Sequence, residues 1–323
     1  MELKMPLTKP LGGFIGLQLD DGDVYHPDLI ALNTGRNALE YILRIRKFKT
    51  IYLPYFTCEV LLEPLRKLNI AYKYYRLDEN LFPIIDFIID EESCLLYTNY
   101  FGIKTDIVTS LTNKIKNIII DNAQAFFTHP INNADTFYSC RKFFGVPDGA
   151  YLHIGSHKPL QLQQDESINR FSHLIKGVDI NIEKGYADYL ENNRNLVNND
   201  ILEMSQITKS ILAGTNYQKC ITSRKNNFNY LHDQFFGINL LKMNYTSGDV
   251  AMAYPLLIDD SSLKKKLIER KIFIATYWPN VYQWTLPGTF EYFLTDNLIA
   301  LPIDHRYRLE DMERIVKVVK SLV

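Results

Sequence analysis

Short apolar runs alternate with stretches of helical periodicity through the first half of the chain. Residues 29–32 are apolar and end at Asn33-Thr34-Gly35. Beyond them Ala38, Leu39, Ile42, Leu43 and Ile45 fall near helical spacing, which predicts a helix over 36–47. The same reading predicts strands at 50–53, 71–75, 93–98 and 117–120, and helices at 58–68 and 107–116. An N-terminal β-hairpin or extended arm is expected over 12–25, around the turn signal Asp20-Asp21-Gly22-Asp23. Short apolar strands separated by helices predict a mostly parallel sheet covered on both faces. Such sheets bind ligands at the carboxyl ends of their strands. Residues 33–36, 54–57, 99–102 and 121–124 all fall at that edge.

The pattern loosens after Gly155. Residues 161–166 read as a polar surface loop, and 177–211 as helical in pieces, with Asn198-Asn199-Asp200 as a break. Strands are predicted at 150–154, 251–257 and 272–275, and helices at 223–235, 261–270 and 309–322. The expected organisation is α/β: a three-layer α/β/α large domain over 1–200, with an N-terminal arm, and a smaller C-terminal α/β domain over 201–323.

Composition narrows the function classes. The chain has 323 residues, 46% hydrophobic and 23% charged, as a globular protein does. With 36 basic against 37 acidic residues, it carries no electrostatic footprint for nucleic acid. No apolar run approaches a membrane span, and residues 1–9 hold no signal-peptide core, so a cytoplasmic location without membrane insertion is expected. Cys58, Cys94, Cys140 and Cys220 are far apart, and the histidines do not cluster, so no metal site is expected. GxGxxG, Walker and GxSxG motifs are absent.

Two segments carry candidate chemistry. The apolar run Ile118-Ile119-Ile120 ends in Asp121, and Ser139-Cys140-Arg141-Lys142 follows some twenty residues later, before Gly145 and Gly149. A carboxylate ending a buried strand can face a ring nitrogen, and a lysine amine can form a Schiff base. These are the protein groups that pyridoxal phosphate chemistry needs. A Schiff-base lysine favours partial burial and nearby positive charge, which Phe143, Phe144 and Arg141 are expected to supply. Gln124 could meet the phenolic oxygen of such a ring. Thr34-Gly35-Arg36 leads into a helix N-terminus, an anion site to which Ser139 could add a hydroxyl. Tyr55 and Phe56 are candidates for stacking on a ring, and Cys58 opens a predicted helix. Each feature also has a plain structural reading as a turn, a cap or a surface side chain.

Taken in order, Asn33-Thr34-Gly35-Arg36-Asn37-Ala38-Leu39, Leu53-Pro54-Tyr55-Phe56-Thr57, Asp121-Asn122-Ala123-Gln124 and Ser139-x-x-Lys142 resemble the DegT/DnrJ/EryC1/StrS family of sugar aminotransferases. The resemblance implies PLP fold type I and pyridoxal 5'-phosphate as cofactor. It implies a keto-sugar substrate with glutamate as amino donor, and a homodimer with interfacial active sites. It assigns Lys142 and Asp121 to catalysis, and Thr34, Gly35, Arg36, Tyr55, Cys58, Gln124 and Ser139 to cofactor binding. Cys58 stands where the family has an aromatic residue, and Glu203 where an arginine precedes Met204-Ser205. Another PLP enzyme of the same fold, a lyase or desulfurase, and a non-catalytic homologue binding PLP or a sugar nucleotide are the alternatives.

 The same resemblance implies that the sugar is nucleotide-linked and that the pathway is surface-polysaccharide or amino-sugar synthesis.

Overall fold

The computed structural model describes residues 11–323. Among these described residues the strands are β1 (Ile30–Leu32), β2 (Thr50–Pro54), β3 (Ala71–Leu77), β4 (Pro83–Ile84), β5 (Ser93–Thr98), β6 (Ile118–Asn122), β7 (Asp135–Ser139), β8 (Ala150–His153), β9 (Ala253–Leu257) and β10 (Leu298–Pro302). The α-helices are α1 (Gly35–Arg46), α2 (Leu62–Lys67), α3 (Thr105–Thr112), α4 (Ser172–Asp179), α5 (Ile182–Asn195), α6 (Gln206–Ala213), α7 (Tyr217–Phe235), α8 (Leu263–Glu269), α9 (Val281–Trp284), α10 (Phe290–Asn297) and α11 (Leu309–Lys320).

Strands β1 to β8 form one sheet in the order β1-β8-β7-β6-β5-β2-β3-β4. The pairs β7–β6, β6–β5, β5–β2 and β2–β3 are parallel. Strand β8 is antiparallel to both β7 and β1, so β1 runs in the same direction as β7. The carboxyl ends of β1, β2, β5, β6 and β7 therefore share one edge, and the turn from β7 into β8 lies there too. Every residue of β5 and β6 is buried, which suits apolar strands at the centre of a doubly covered sheet. Alternate side chains part to opposite faces. Ile51, Leu53, Cys94, Leu96 and Ile119 meet Leu39, Ile42 and Leu43 of α1 on one face. Tyr52, Leu95, Tyr97, Ile118 and Ile120 join the core that includes α3, α7, β9 and β10 on the other.

Of the two readings of residues 12–25 the β-hairpin is corrected, not the extended arm: no strand forms there among the described residues, and Leu11, Phe14, Ile15 and Leu17 stay exposed. The turn at Gly22 instead lies against the end of α6, so close that a Cβ there would stand 2.6 Å from the Ala213 carbonyl oxygen. Residues 272–275 form no strand either, because β9 pairs with β10, and Ile272 merely anchors a coil in the core.

The turn that leaves β7 is tied down by Asp148. This fully buried carboxylate accepts from Ser167 Oγ (2.9 Å), Ser205 N (2.8 Å), Ser205 Oγ (2.6 Å) and Thr208 Oγ1. The next residue, Gly149, has φ +117°, a conformation open to glycine and costly for other residues. A Cβ there would lie 3.0 Å from Thr208 and 3.1 Å from Cys140. The polar knot thus joins the β7–β8 turn to the start of α6. Asp148→Asn sets an amide donor against groups that are themselves donors, and should destabilise the fold by roughly 2–3 kcal/mol. Urea unfolding of the variant against the parent protein measures this, with Ser167→Ala expected to cost less.

Candidate active site

The shared sheet edge gathers most of the candidate residues. Thr34, in extended conformation, caps α1: its Oγ1 accepts from Asn37 N (3.2 Å) and donates to Asn37 Oδ1 (2.5 Å). Its hydroxyl is thus engaged in holding the helix start. The Gly35 and Arg36 amides find no acceptor among the described residues, as expected of the first turn of a helix. Packing does not require the glycine, since a Cβ at Gly35 would find its nearest atom, on Phe137, at 3.7 Å. The Arg36 side chain points to Glu63 and pairs with it.

Asp121 is buried at the penultimate position of β6, beside Thr98 of β5 in the parallel register. Its Oδ1 accepts from Ala123 N (2.8 Å). Burial pushes its carboxyl above the usual range, and the Lys142 ammonium draws it partly back. Gln124 is fully buried. Its Oε1 accepts from Phe101 N (2.7 Å), while its Nε2 has no acceptor among the described residues. Phe101 sits at φ 57°, and Gly102, at φ 72°, lies so near Gln124 that a Cβ would come within 2.7 Å of its carbonyl oxygen.

Lys142 ends a 3-10 turn, Cys140–Lys142, that leaves β7. The expected partial burial is corrected: Lys142 is exposed, because the turn emerges at the rim of the sheet. Ser139, at the last position of β7, is half-buried, and its hydroxyl has no protein partner among the described residues. Lys142 and Asp121 both act on the Cys58 thiol: burial raises it most, the Lys142 charge lowers it, and Asp121 raises it. These three groups are therefore electrostatic neighbours, with Arg36 a weaker one. The Tyr55 ring stacks on Tyr74 (centroids 4.8 Å, 21°), and Phe56 is buried against Trp278 (4.9 Å). Both candidate stacking rings are thus held by aromatic partners of their own.

Several neighbours carried little signal in the sequence. Tyr277, half-buried, is pushed up to about 12 by burial, with Tyr189 and Cys58 next to it. Arg224 is almost fully buried, donates to the carbonyls of Ala251 (3.2 Å) and Met252 (2.9 Å), and lies 4.7 Å above the Phe143 ring. Met252 N in turn donates to Phe101 O (2.8 Å). The lysine turn and the Gln124 contact are thereby braced by the same arginine on α7. A lone Arg in a helix of mixed polarity gives no sign of this; only the packing reveals it.

The donor set fits pyridoxal phosphate. A buried carboxylate can hold a ring N–H⁺, the orphaned Gln124 Nε2 can donate to a phenolic oxygen, free helix amides with a free serine hydroxyl can take a phosphate, and an exposed amine is at hand.

No family model matches the chain, and no curated protein matches it in sequence. Solved structures do match in fold. Sugar aminotransferase CalS13 from Micromonospora echinospora is 15% identical with a TM-score of 0.60, over 91% of this chain and 87% of that one. A DegT DnrJ EryC1 StrS aminotransferase from Brucella abortus is 14% identical with a TM-score of 0.58, over 91% and 85%. DesV from S. venezuelae is 14% identical with a TM-score of 0.60, over 91% and 84%.

The raised Asp121 carboxyl gives a signed expectation. A carboxylate whose folded-state pKa is raised costs stability above its unfolded value and costs nothing well below it. Without cofactor, Asp121→Asn should raise Tm at pH 7 by roughly 1–3 °C, with the gain vanishing below about pH 4. A scanning calorimetry series against pH checks both limbs. The chain has the α/β fold of the sugar aminotransferases, PLP fold type I.

Proposed function

We propose that this protein is a pyridoxal phosphate-dependent aminotransferase that acts on a nucleotide-linked keto-sugar with glutamate as amino donor. The observation that carries the reading is the convergence of Asp121, Gln124 and Lys142 on one sheet edge, in a fold shared with sugar aminotransferases. When bound, the cofactor supplies an electron sink for charge that develops at the substrate carbon.

The chain's own residues do the rest. Lys142 Nζ would hold the cofactor and would carry a proton to and from the substrate carbon, a role worth ~10²–10⁴ in rate. Asp121 keeps the ring nitrogen protonated. The buried setting that raises its carboxyl also strengthens its attraction for a cationic ring. Gln124 Nε2, buried without an acceptor among the described residues, would donate to the phenolic oxygen. The Gly35 and Arg36 amides and the Ser139 hydroxyl would hold the phosphate at the N-terminus of α1, whose start Thr34 fixes through Asn37. Tyr55 and Cys58 border the ring. We place the enzyme in the cytoplasm, as a homodimer working in surface-polysaccharide or amino-sugar synthesis, with a large domain over 1–200 and a small one over 201–323.

Purified protein mixed with pyridoxal phosphate should absorb near ~420 nm, and borohydride should fix the cofactor on the peptide bearing Lys142. Lys142→Ala should lose both signals and at least about 10³-fold of the aminotransferase rate. An unchanged borohydride-reducible band in that variant overturns the lysine assignment.

A further inference from the structure

Arg224 is a charge that the stability of the core does not ask for. It is almost fully buried on α7, and its Nε has no acceptor among the described residues. Asp304, the carboxylate that acts on it, is held by Arg306 through bonds of 2.7 and 2.9 Å. A buried guanidinium without a carboxylate of its own is costly, and an apolar side chain of similar volume often fills such a space as well. What the arginine supplies is geometry.

Its Nη1 donates to the carbonyls of Ala251 (3.2 Å) and Met252 (2.9 Å), and its guanidinium carbon lies 4.7 Å from the centroid of the Phe143 ring. Met252 N donates to Phe101 O (2.8 Å), and Phe101 N donates to Gln124 Oε1 (2.7 Å). On the other side, Phe143 directly follows Lys142, and its amide closes the lysine turn by donating to Cys140 O (3.0 Å). The Phe143 ring also meets Phe126 (5.8 Å) and Phe127 (5.7 Å), just beyond Gln124 in the chain. The contacts run in a closed circuit, from Arg224 through Met252 and Phe101 to Gln124, on to Phe126, and back through Phe143. Lys142 adjoins one side of this circuit, and the orphaned Gln124 Nε2 belongs to the other.

In pyridoxal phosphate the aldehyde carbon and the phenolic oxygen stand on adjacent ring atoms. An amine and an amide that serve the two must keep one separation, although here they leave different strands, β7 and β6. We infer that Arg224 is a positioning residue that fixes the lysine turn and the Gln124 side chain relative to one another. The inference rests on the aminotransferase reading and adds to it a residue that acts through Phe143 and Phe101.

Hydrogen exchange of the cofactor-free protein reads the linkage, and absorbance of the PLP-loaded protein reads its use. In Arg224→Met, peptides covering 99–103 and 140–146 should both exchange about threefold faster or more, while peptides of α1 and β2 keep the parent rate. In the loaded variant a weaker donor to the phenolic oxygen leaves that oxygen holding the neighbouring Lys142 N–H⁺ more tightly. The pH at which the ~420 nm band fades should then rise by about half a unit or more. Arg224→Lys keeps a cation near the ring and should fall between the two. Phe143→Leu removes the ring from beneath an intact guanidinium and should loosen 140–146 more than 99–103; it decides the matter if Arg224→Met does not fold. The inference is overturned if only one of the two segments loosens in Arg224→Met, if its band follows the parent's at every pH, or if 140–146 stays protected in Phe143→Leu. Failure of PLP to attach to Lys142 in the parent protein would sink the aminotransferase reading instead, and exchange in the cofactor-free protein would still decide whether Arg224 links the two segments.

Discussion

The buried Asp148 carboxylate is the interaction on which the candidate site depends. It sits between the lysine turn and strand β8, and its oxygens gather hydroxyl and amide donors from the segment around Ser167 and from the start of α6. A buried charge of this kind is stable only when its hydrogen bonds are made together. Gly149 then returns the chain into the sheet through a backbone conformation that other residues adopt at a cost. Lys142 itself is exposed, so the precision of its placement comes from the knot behind it rather than from packing around the amine.

Sheet topology does the second part of the work. Parallel order from β3 to β7 and the antiparallel return of β8 to β1 bring the ends of five strands to one edge. That edge holds a carboxylate raised by burial, an amide with an unused donor, free helix amides and an exposed amine. The charge of Lys142 acts on Asp121 there without an ion pair between them, and the Cys58 thiol responds to both.

Much of this was legible in the sequence because local pattern and tertiary role coincide. The run Ile118-Ile119-Ile120 is apolar because both sheet faces are covered, and Asp121 is the first polar residue at its end. Strand β7 was harder to see: it opens with Asp135 and Thr136, and Asp135 is buried only because Arg46 pairs with it at 2.7 Å from a helix far away in sequence. The hairpin alternative for 12–25 and the expected strand at 272–275 failed for a different reason. Their alternation is adequate, but no neighbouring edge offers them a ladder. Arg224 was invisible as a bracing residue, since its role follows from what lies opposite it in space.

Gln124 has a consequence for the history of such chains. Its Oε1 holds the backbone of Phe101 in a left-handed turn, while its Nε2 has no acceptor among the described residues. On the proposed function, one side chain then answers to two selective pressures, one for folding and one for chemistry. A descendant that abandoned catalysis would still be held to glutamine by the turn, whereas Ser139, with no protein partner among the described residues, would be free to drift. Retention of the serine is thus the more telling trace of a working enzyme in any lineage that shares this architecture.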